Sequence, residues 1–195
     1  MAAGTWREGR GLRGTMATWN SRGLRGSALE ELVNRTNEAY AANALALIQK
    51  VPTPITPINI DKQTRHITLA YFDQKSTVDY IGAVQGIPVC FDAKECHTDT
   101  FPLQNIHAHQ VAFMQRFEAQ QGIAFFLIHY TKRDTFYYLT FRQLIIFWNR
   151  MNSGGRKSFR IEELPEQYFF SLGTGGALVP YLQPLQLDLD ERNRG

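Results

Sequence analysis

Apolar residues recur at two different spacings along this chain, and the spacing separates helices from strands. In "SALEELVNRTNEAYAAN", residues 27–43, Leu29, Leu32, Val33, Thr36 and Tyr40 fall on one helical stripe. Ser27 and Glu30 have the S-x-x-E spacing of a capping box, in which each side chain satisfies the other residue's free backbone N–H, so a helix is predicted to start there. "ALALIQKV" (44–51) and "HITLAYF" (66–72) read as strands. Between them, "PTPITPINIDKQTR" carries prolines at 52, 54 and 57, which cannot donate to a central ladder, so it is expected to project as an extended, exposed loop or stalk. "STVDYIGAVQGIPVCFDAKE" (76–95) supplies two more strands with a tight connection around Val84, Gln85 and Gly86, a hairpin.

The second half repeats the alternation. "NIHAHQVAFMQRFEAQQ" (105–121) is helical, "IAFFLIHYT" (123–131) and "TFYYLT" (135–140) are strands, and "FRQLIIFWNRM" (141–151) is an amphipathic helix. The order is helix, sheet, helix, sheet, helix, an α/β chain. Beyond Met151 the sequence turns Gly-rich and polar through "NSGGRKSFR", and from Thr174 onwards it has little periodicity. A loop followed by a weakly ordered tail over 174–195 is expected.

Composition narrows this picture at the N-terminus. Residues 1–26 hold a crude duplication, "TWREGRGLRG" and "TWNSRGLRG", in which five arginines face one acid, Glu8. Such a segment cannot bury enough apolar surface to order itself, so a flexible Gly/Arg-rich arm is expected. It reads as a phosphate-binding arm or, with Met16 as an alternative start, in part as an extension of no structural role. The remaining chain, with 44% hydrophobic and 12% aromatic residues overall, is rich enough for one substantial domain over 27–173.

A net charge of +3 fits a nucleic-acid partner without requiring one. Cys90 and Cys96 are too few for a disulfide framework and lack zinc-site spacing; they read as reduced thiols of a cytoplasmic protein. No apolar run approaches the roughly 20 residues that span a bilayer, so no membrane partner is expected.

Chemistry concentrates in the predicted hairpin. Residues two apart on a strand share a face, so Asp92 and Lys94 point together, and Thr77 and Asp79 follow the same rule. If the strands pair, two carboxylates, a hydroxyl and an ammonium converge at one end of the sheet, with Val89 and Phe91 facing the core. Phosphodiester cleavage uses such a set: two close carboxylates repel unless a cation lies between them, and hard Mg²⁺ prefers oxygen ligands and retained waters. Lys94 would stabilise the charge gained in the transition state. The spacing alone leaves a second reading open, in which Asp79 starts a turn and Asp92 simply pairs with Lys94 on a solvated strand end.

Other candidates divide similarly. His107 and His109 are expected to diverge on the helix and to serve packing or phosphate contact in preference to metal binding. Glu95 reads either as a partner of Lys94 or as an exposed strand end. Phe147 and Trp148 read as core. Arg156 and Lys157, in a Gly-flanked loop, read equally as a phosphate contact or a solubilising pair.

"KVPTPITPI", "STVDYIGAVQGIPVCFDAKE", "FPLQNIHAHQ", "LIIFWNR" and "GRKS" occur in fixed order, and together they resemble the RecU-type Holliday junction resolvases over most of residues 20–175. The resemblance implies a restriction-endonuclease-like mixed central sheet flanked by helices, with a protruding stalk at about 52–75. It implies an Mg²⁺-dependent endonuclease, with Mn²⁺ as a substitute ion, acting in recombination and DNA repair. Thr77, Asp79, Asp92 and Gln110 match the family's metal ligands, and Lys94 its transition-state lysine. The implied partner is a four-way junction, nicked in pairs by a homodimer, with recombination proteins as further partners. The stalk, with Lys62, Arg65, His66 and Lys75 partly offset by Asp61 and Asp73, would enter or brace the junction centre. Two rivals remain: a nuclease of the same core acting on other DNA, and a non-catalytic module binding branched DNA. One departure stands out, since the position of Asp92 is more often glutamate in the family, which could shift the metal or its preferred ion.

Overall fold

The computed structural model describes residues 28–72 and 77–194, so the basic arm over 1–26, Ser27 of the capping box and Lys75 lie outside the described residues. In chain order the elements are helix α1 (Ala28–Ala42), strands β1 (Ala46–Lys50), β2 (Ile55–Ile60), β3 (Ile67–Phe72), β4 (Tyr80–Val84), β5 (Ile87–Cys96) and β6 (Thr100–Pro102), helix α2 (Ala108–Glu118), strands β7 (Ile123–Tyr130) and β8 (Thr135–Thr140), helix α3 (Phe141–Asn152), strands β9 (Ser158–Arg160) and β10 (Phe169–Phe170), and helix α4 (Leu182–Arg194). The central sheet is six-stranded, in the order β1-β4-β5-β7-β8-β10. It is mixed: β5 runs parallel to β7 through the α2 crossover, and the other pairs are antiparallel. This α/β architecture of a central mixed sheet flanked by helices is the expected restriction-endonuclease-like class.

Aromatic residues at alternate strand positions explain why this sheet is covered. Tyr80, Phe91, Phe125 and Tyr138, one from each of β4, β5, β7 and β8, stack in a row with successive ring centroids 4.7, 4.7 and 4.3 Å apart. Tyr181 closes the row against Phe91 and meets Tyr40 of α1 edge-on at 5.2 Å. Each such side chain contributes about 1.5–3 kcal/mol by burial, with about 0.5–1.5 more from each ring pair. Phe91→Ala would cost about 3–5 kcal/mol. Helix α1 presents Leu29, Val33, Thr36, Asn37 and Tyr40 to this layer. Polar members of the stripe are satisfied: Asn37 Oδ1 accepts from the Tyr181 hydroxyl at 2.6 Å, and Thr36 Oγ1 accepts from Val179 N–H at 2.9 Å.

Two sequence expectations need correction. The stretch after Pro52 is no loop: β2 pairs with β3 in a separate two-stranded ribbon, with register breaks on either side of Asn59, next to Pro57 and Ile58. A ribbon tolerates Pro57 where a central ladder would not, because each strand has only one partner. The weakly ordered tail is helix α4, whose Leu185 and Asp188 are buried. Its inward stripe runs Leu185, Asp188, Arg192, so charged residues stand where the eye looks for apolar ones, and the alternation of Leu185, Leu187 and Leu189 masks the helical period. Among the described residues, no helix is long and apolar enough to cross a membrane.

Candidate active site

The β4–β5 hairpin turns at Gln85 (φ 48°) and Gly86 (φ 87°), two consecutive left-handed residues whose twist matches the flanking strands. This turn sets the register Tyr80↔Phe91 and with it which side chains of β5 face each way. Val89 and Phe91 are fully buried against the aromatic row, as expected. Alternation then sends Cys90, Asp92 and Lys94 to the opposite face.

Asp92 is fully buried, so the reading of a solvated strand end fails. A buried carboxylate is tolerated only with matched donors. Asp92 has three: Oδ1 accepts from Asp79 N–H at 2.7 Å, and Oδ2 takes Gln110 Nε2 at 2.7 Å and pairs with Lys94 Nζ. Asp79 returns the contact, its Oδ2 accepting from Ala93 N–H at 3.3 Å. Neither Thr77 nor Asp79 lies on a strand, however; both precede β4. The Asp79 carbonyl also accepts from Val51 N–H at 2.8 Å, just past the end of β1, and Thr77 stands exposed. Burial pushes the Asp79 acid up to about 6, with the Asp92 carboxylate as the second cause and Lys94 opposing.

Gln110 is buried in the first turn of α2, where the sequence offered only an ordinary glutamine on an amphipathic helix. Its Oε1 accepts from His107 N–H at 3.0 Å, which aims Nε2 at Asp92. His107 is the N-cap and has an extended backbone, so its ring does not diverge from that of His109; the two stack with centroids 5.4 Å apart.

Glu95 turns away from Lys94's role, its Oε1 accepting from Leu29 N–H at 3.2 Å and capping the start of α1. No pattern in the sequence marks that long-range cap. Phe147 is buried and Trp148 partly so.

Lys62 and Arg65 occupy the exposed tip of the ribbon, where Asp61 Oδ1 accepts from Gln63 N–H at 2.8 Å and Arg65 is left-handed (φ 59°). Arg156 is not a free cation: its guanidinium pairs with Glu163, which Arg150 also engages at 2.6 Å. Lys157 is exposed, and its carbonyl accepts from Leu103 N–H at 3.0 Å, pinning this loop near the entry to α2.

Among the described residues no group of three or more His, Cys, Asp or Glu side chains suited to a metal occurs. The oxygen donors brought together are the carboxylates of Asp79 and Asp92, a pair that suits a hard cation keeping several waters, while Gln110 turns its nitrogen to Asp92 and Thr77 stands exposed. The Asp79 acid is raised first by burial and then by the neighbouring Asp92 carboxylate.

The family profile of Recombination protein U matches residues 24–187. Among curated proteins, the Holliday junction resolvases RecU of Bacillus cereus (strain B4264), Bacillus thuringiensis (strain Al Hakam) and Bacillus mycoides (strain KBAB4) are each 44% identical over 146 residues, covering 73% of this chain and 73% of the relative.

Proposed function

This chain belongs to the Recombination protein U family, and from that membership and the site's geometry we propose that it resolves four-way DNA junctions by Mg²⁺-dependent hydrolysis, nicking opposed strands in pairs as a homodimer in recombination and repair. The observation that carries the chemistry is the fully buried Asp92, held by Asp79 N–H, Gln110 and Lys94 beside a second carboxylate. A structural ion pair would not need a second acid packed against it at the cost of raising that acid's pKa.

Asp79 and Asp92 would hold the cation, with Thr77 and Gln110 completing the set. When bound, Mg²⁺ neutralises the two carboxylates, acidifies an attacking water and polarises the phosphoryl oxygen. The protein's own part is preorganisation. The backbone N–H groups of Asp79 and Ala93 fix both carboxylates before substrate arrives. Lys94, partly exposed where Asp92 is not, can turn its ammonium from Asp92 toward the phosphate as negative charge develops. Gln110 presents its nitrogen to Asp92, so ligation through Oε1 requires the amide to turn end for end and release His107 N–H.

A junction has two-fold symmetry, which matches a C2 dimer with two equal sites. The ribbon reaching out from β1 is the element suited to the junction's open centre. Lys62 and Arg65 at its tip contact backbone phosphates, and Lys75, outside the described residues, is a further candidate contact. Lys157 supplies a phosphate contact at the far loop; Arg156 does so only if it leaves Glu163.

A mobile four-way junction incubated with Mg²⁺, with Mn²⁺ or with chelator tests the proposal. Symmetric paired nicks with either cation and none with chelator are expected, and a linear duplex of the same sequence should stay uncut. Junction binding without nicking under every condition would instead establish a binding module.

A further inference from the structure

Helix α2 is tied at its two ends to different parts of the molecule. At its first turn Gln110 bridges His107 N–H and the Asp92 carboxylate, at 3.0 and 2.7 Å. At its last residue Glu118 accepts two parallel hydrogen bonds from Arg192 of α4, Nη1 to Oε2 and Nη2 to Oε1, both 2.7 Å. A third comes from Ala124 N–H at the head of β7, at 2.8 Å. Arg192 is in turn held one helical turn back by Asp188, whose Oδ1 lies 3.0 Å from Arg192 Nε. Asp188 is itself fully buried and accepts from the Tyr138 hydroxyl at 3.2 Å and from Arg142 Nη2 at 2.8 Å.

A two-pronged arginine–carboxylate pair fixes direction as well as distance. This one is largely withdrawn from solvent, the side chains being 22% and 16% exposed, so it is neither heavily screened nor free to wander. Between its two ends α2 buries Val111 and Met114 besides Gln110 and lays Phe113 and Phe117, partly buried, against the core. Apolar contacts alone let a short helix rotate or slide by fractions of an ångström; directional bonds at both ends remove that freedom. Such a shift would change how Gln110 meets Asp92.

We propose that Arg192 is a positioning residue: by gripping Glu118 it holds α2 in the setting that aims Gln110 at Asp92, which makes the C-terminal helix part of the nuclease machinery. This rests on the reading of Asp92 and Gln110 as site residues.

Three full-length variants test it: Arg192→Ala, Arg192→Lys and Tyr181→Phe. Each is measured for melting temperature, for the Mg²⁺ concentration giving half-maximal junction nicking, and for backbone hydrogen exchange over residues 108–112 in chelator. Arg192→Ala should raise the Mg²⁺ requirement roughly tenfold, the size of effect that supporting residues around metal ligands produce, and should speed exchange over 108–112. Arg192→Lys, which keeps a cation on Glu118, should recover most of both. Tyr181→Phe removes a buried hydroxyl bonded to Asn37 and touches none of Arg192, Asp188 or Glu118; it should lower the melting temperature without moving either readout. If Arg192→Ala leaves either readout at its wild-type value, or Tyr181→Phe moves both as far, the C-terminal helix is only structural. The exchange readout does not depend on cleavage. A faulty site assignment would instead show as wild-type nicking by Asp92→Asn, so the two failures are distinguishable.

Discussion

Asp92 is fully buried and has three polar partners, whereas Leu69 and Tyr71 on the ribbon are 51% and 52% exposed. Both lie on two-stranded antiparallel hairpins, so hairpin geometry does not separate them. Neighbours do. The β4–β5 hairpin is enclosed by β1, β7 and α1, with Gln110 of α2 reaching Asp92, while the described β2 and β3 pair chiefly with each other. A site that must hold two carboxylates at fixed separation needs packing on every side. An element that meets a large, deformable partner by shape needs reach and exposed surface, and Ile58, Ile60, Ile67 and Leu69 give the ribbon an exposed apolar surface of the kind that can wedge against bases.

The comparison is most easily broken at the carboxylates. Asp92→Asn and Lys94→Ala are each expected to lower junction nicking at least 100-fold, an effect of roughly 3 kcal/mol on the transition state, with junction affinity in chelator changing less than about threefold. Nicking assays beside gel-shift titrations check this. Wild-type nicking by both variants would move the active site elsewhere.

Asp92→Glu asks whether enclosure is as tight as the burial indicates. An extra methylene must enter a fully buried site closed by Asp79, Gln110 and Lys94. A loss of about 1–3 kcal/mol in denaturant unfolding is expected, with no gain in nicking rate. Unchanged stability would mean that the site has room.

Titration tests the crowding of the two acids. Asp79 has its folded-state pKa raised to about 6 from an ordinary 3.8, so its contribution to stability is fully present below about pH 4 and is lost as the pH rises through 6. In metal-free protein the loss should be roughly 2 kcal/mol, discounted for Asp79's partial exposure. Asp79→Asn should flatten that slope, and Mg²⁺ at pH 7.5 should restore stability to the wild type but not to the variant. Melting curves from pH 4 to 8, with and without Mg²⁺, decide it.

How much of this was legible in the sequence differs between the two regions for physical reasons. Asp92, Lys94 and the alternation that buries Val89 and Phe91 follow from a period of two, and the hairpin follows from its turn. Gln110's link to Asp92 joins residues 18 apart in sequence through a crossover, and no local pattern records it. Glu95's cap on α1, across 66 residues, was equally hidden. In the ribbon, the prolines correctly excluded a central strand but concealed an isolated pair. Helix α4 was missed because its inward positions are Asp188 and Arg192, whose burial makes sense only once Tyr138, Arg142 and Glu118 are in place.

The smallest expected effects lie in the ribbon, and they separate its two kinds of surface. Replacing Ile60 and Leu69 together by serine removes exposed apolar area from a unit that packs little against the domain, so unfolding free energy should change by less than about 0.5 kcal/mol. Under the proposed function, in which the apolar strands serve shape recognition at the junction centre, preference for a four-way junction over linear duplex should nonetheless fall several-fold. Lys62→Ala with Arg65→Ala should act differently, weakening junction and duplex alike and flattening the dependence of log affinity on log salt by about one unit for each phosphate no longer neutralised. Affinities for both substrates at several salt concentrations distinguish the two. If the serine pair changes the salt slope and leaves selectivity intact, the ribbon is an electrostatic arm like any other, and the contrast with the carboxylate site reduces to one of burial alone.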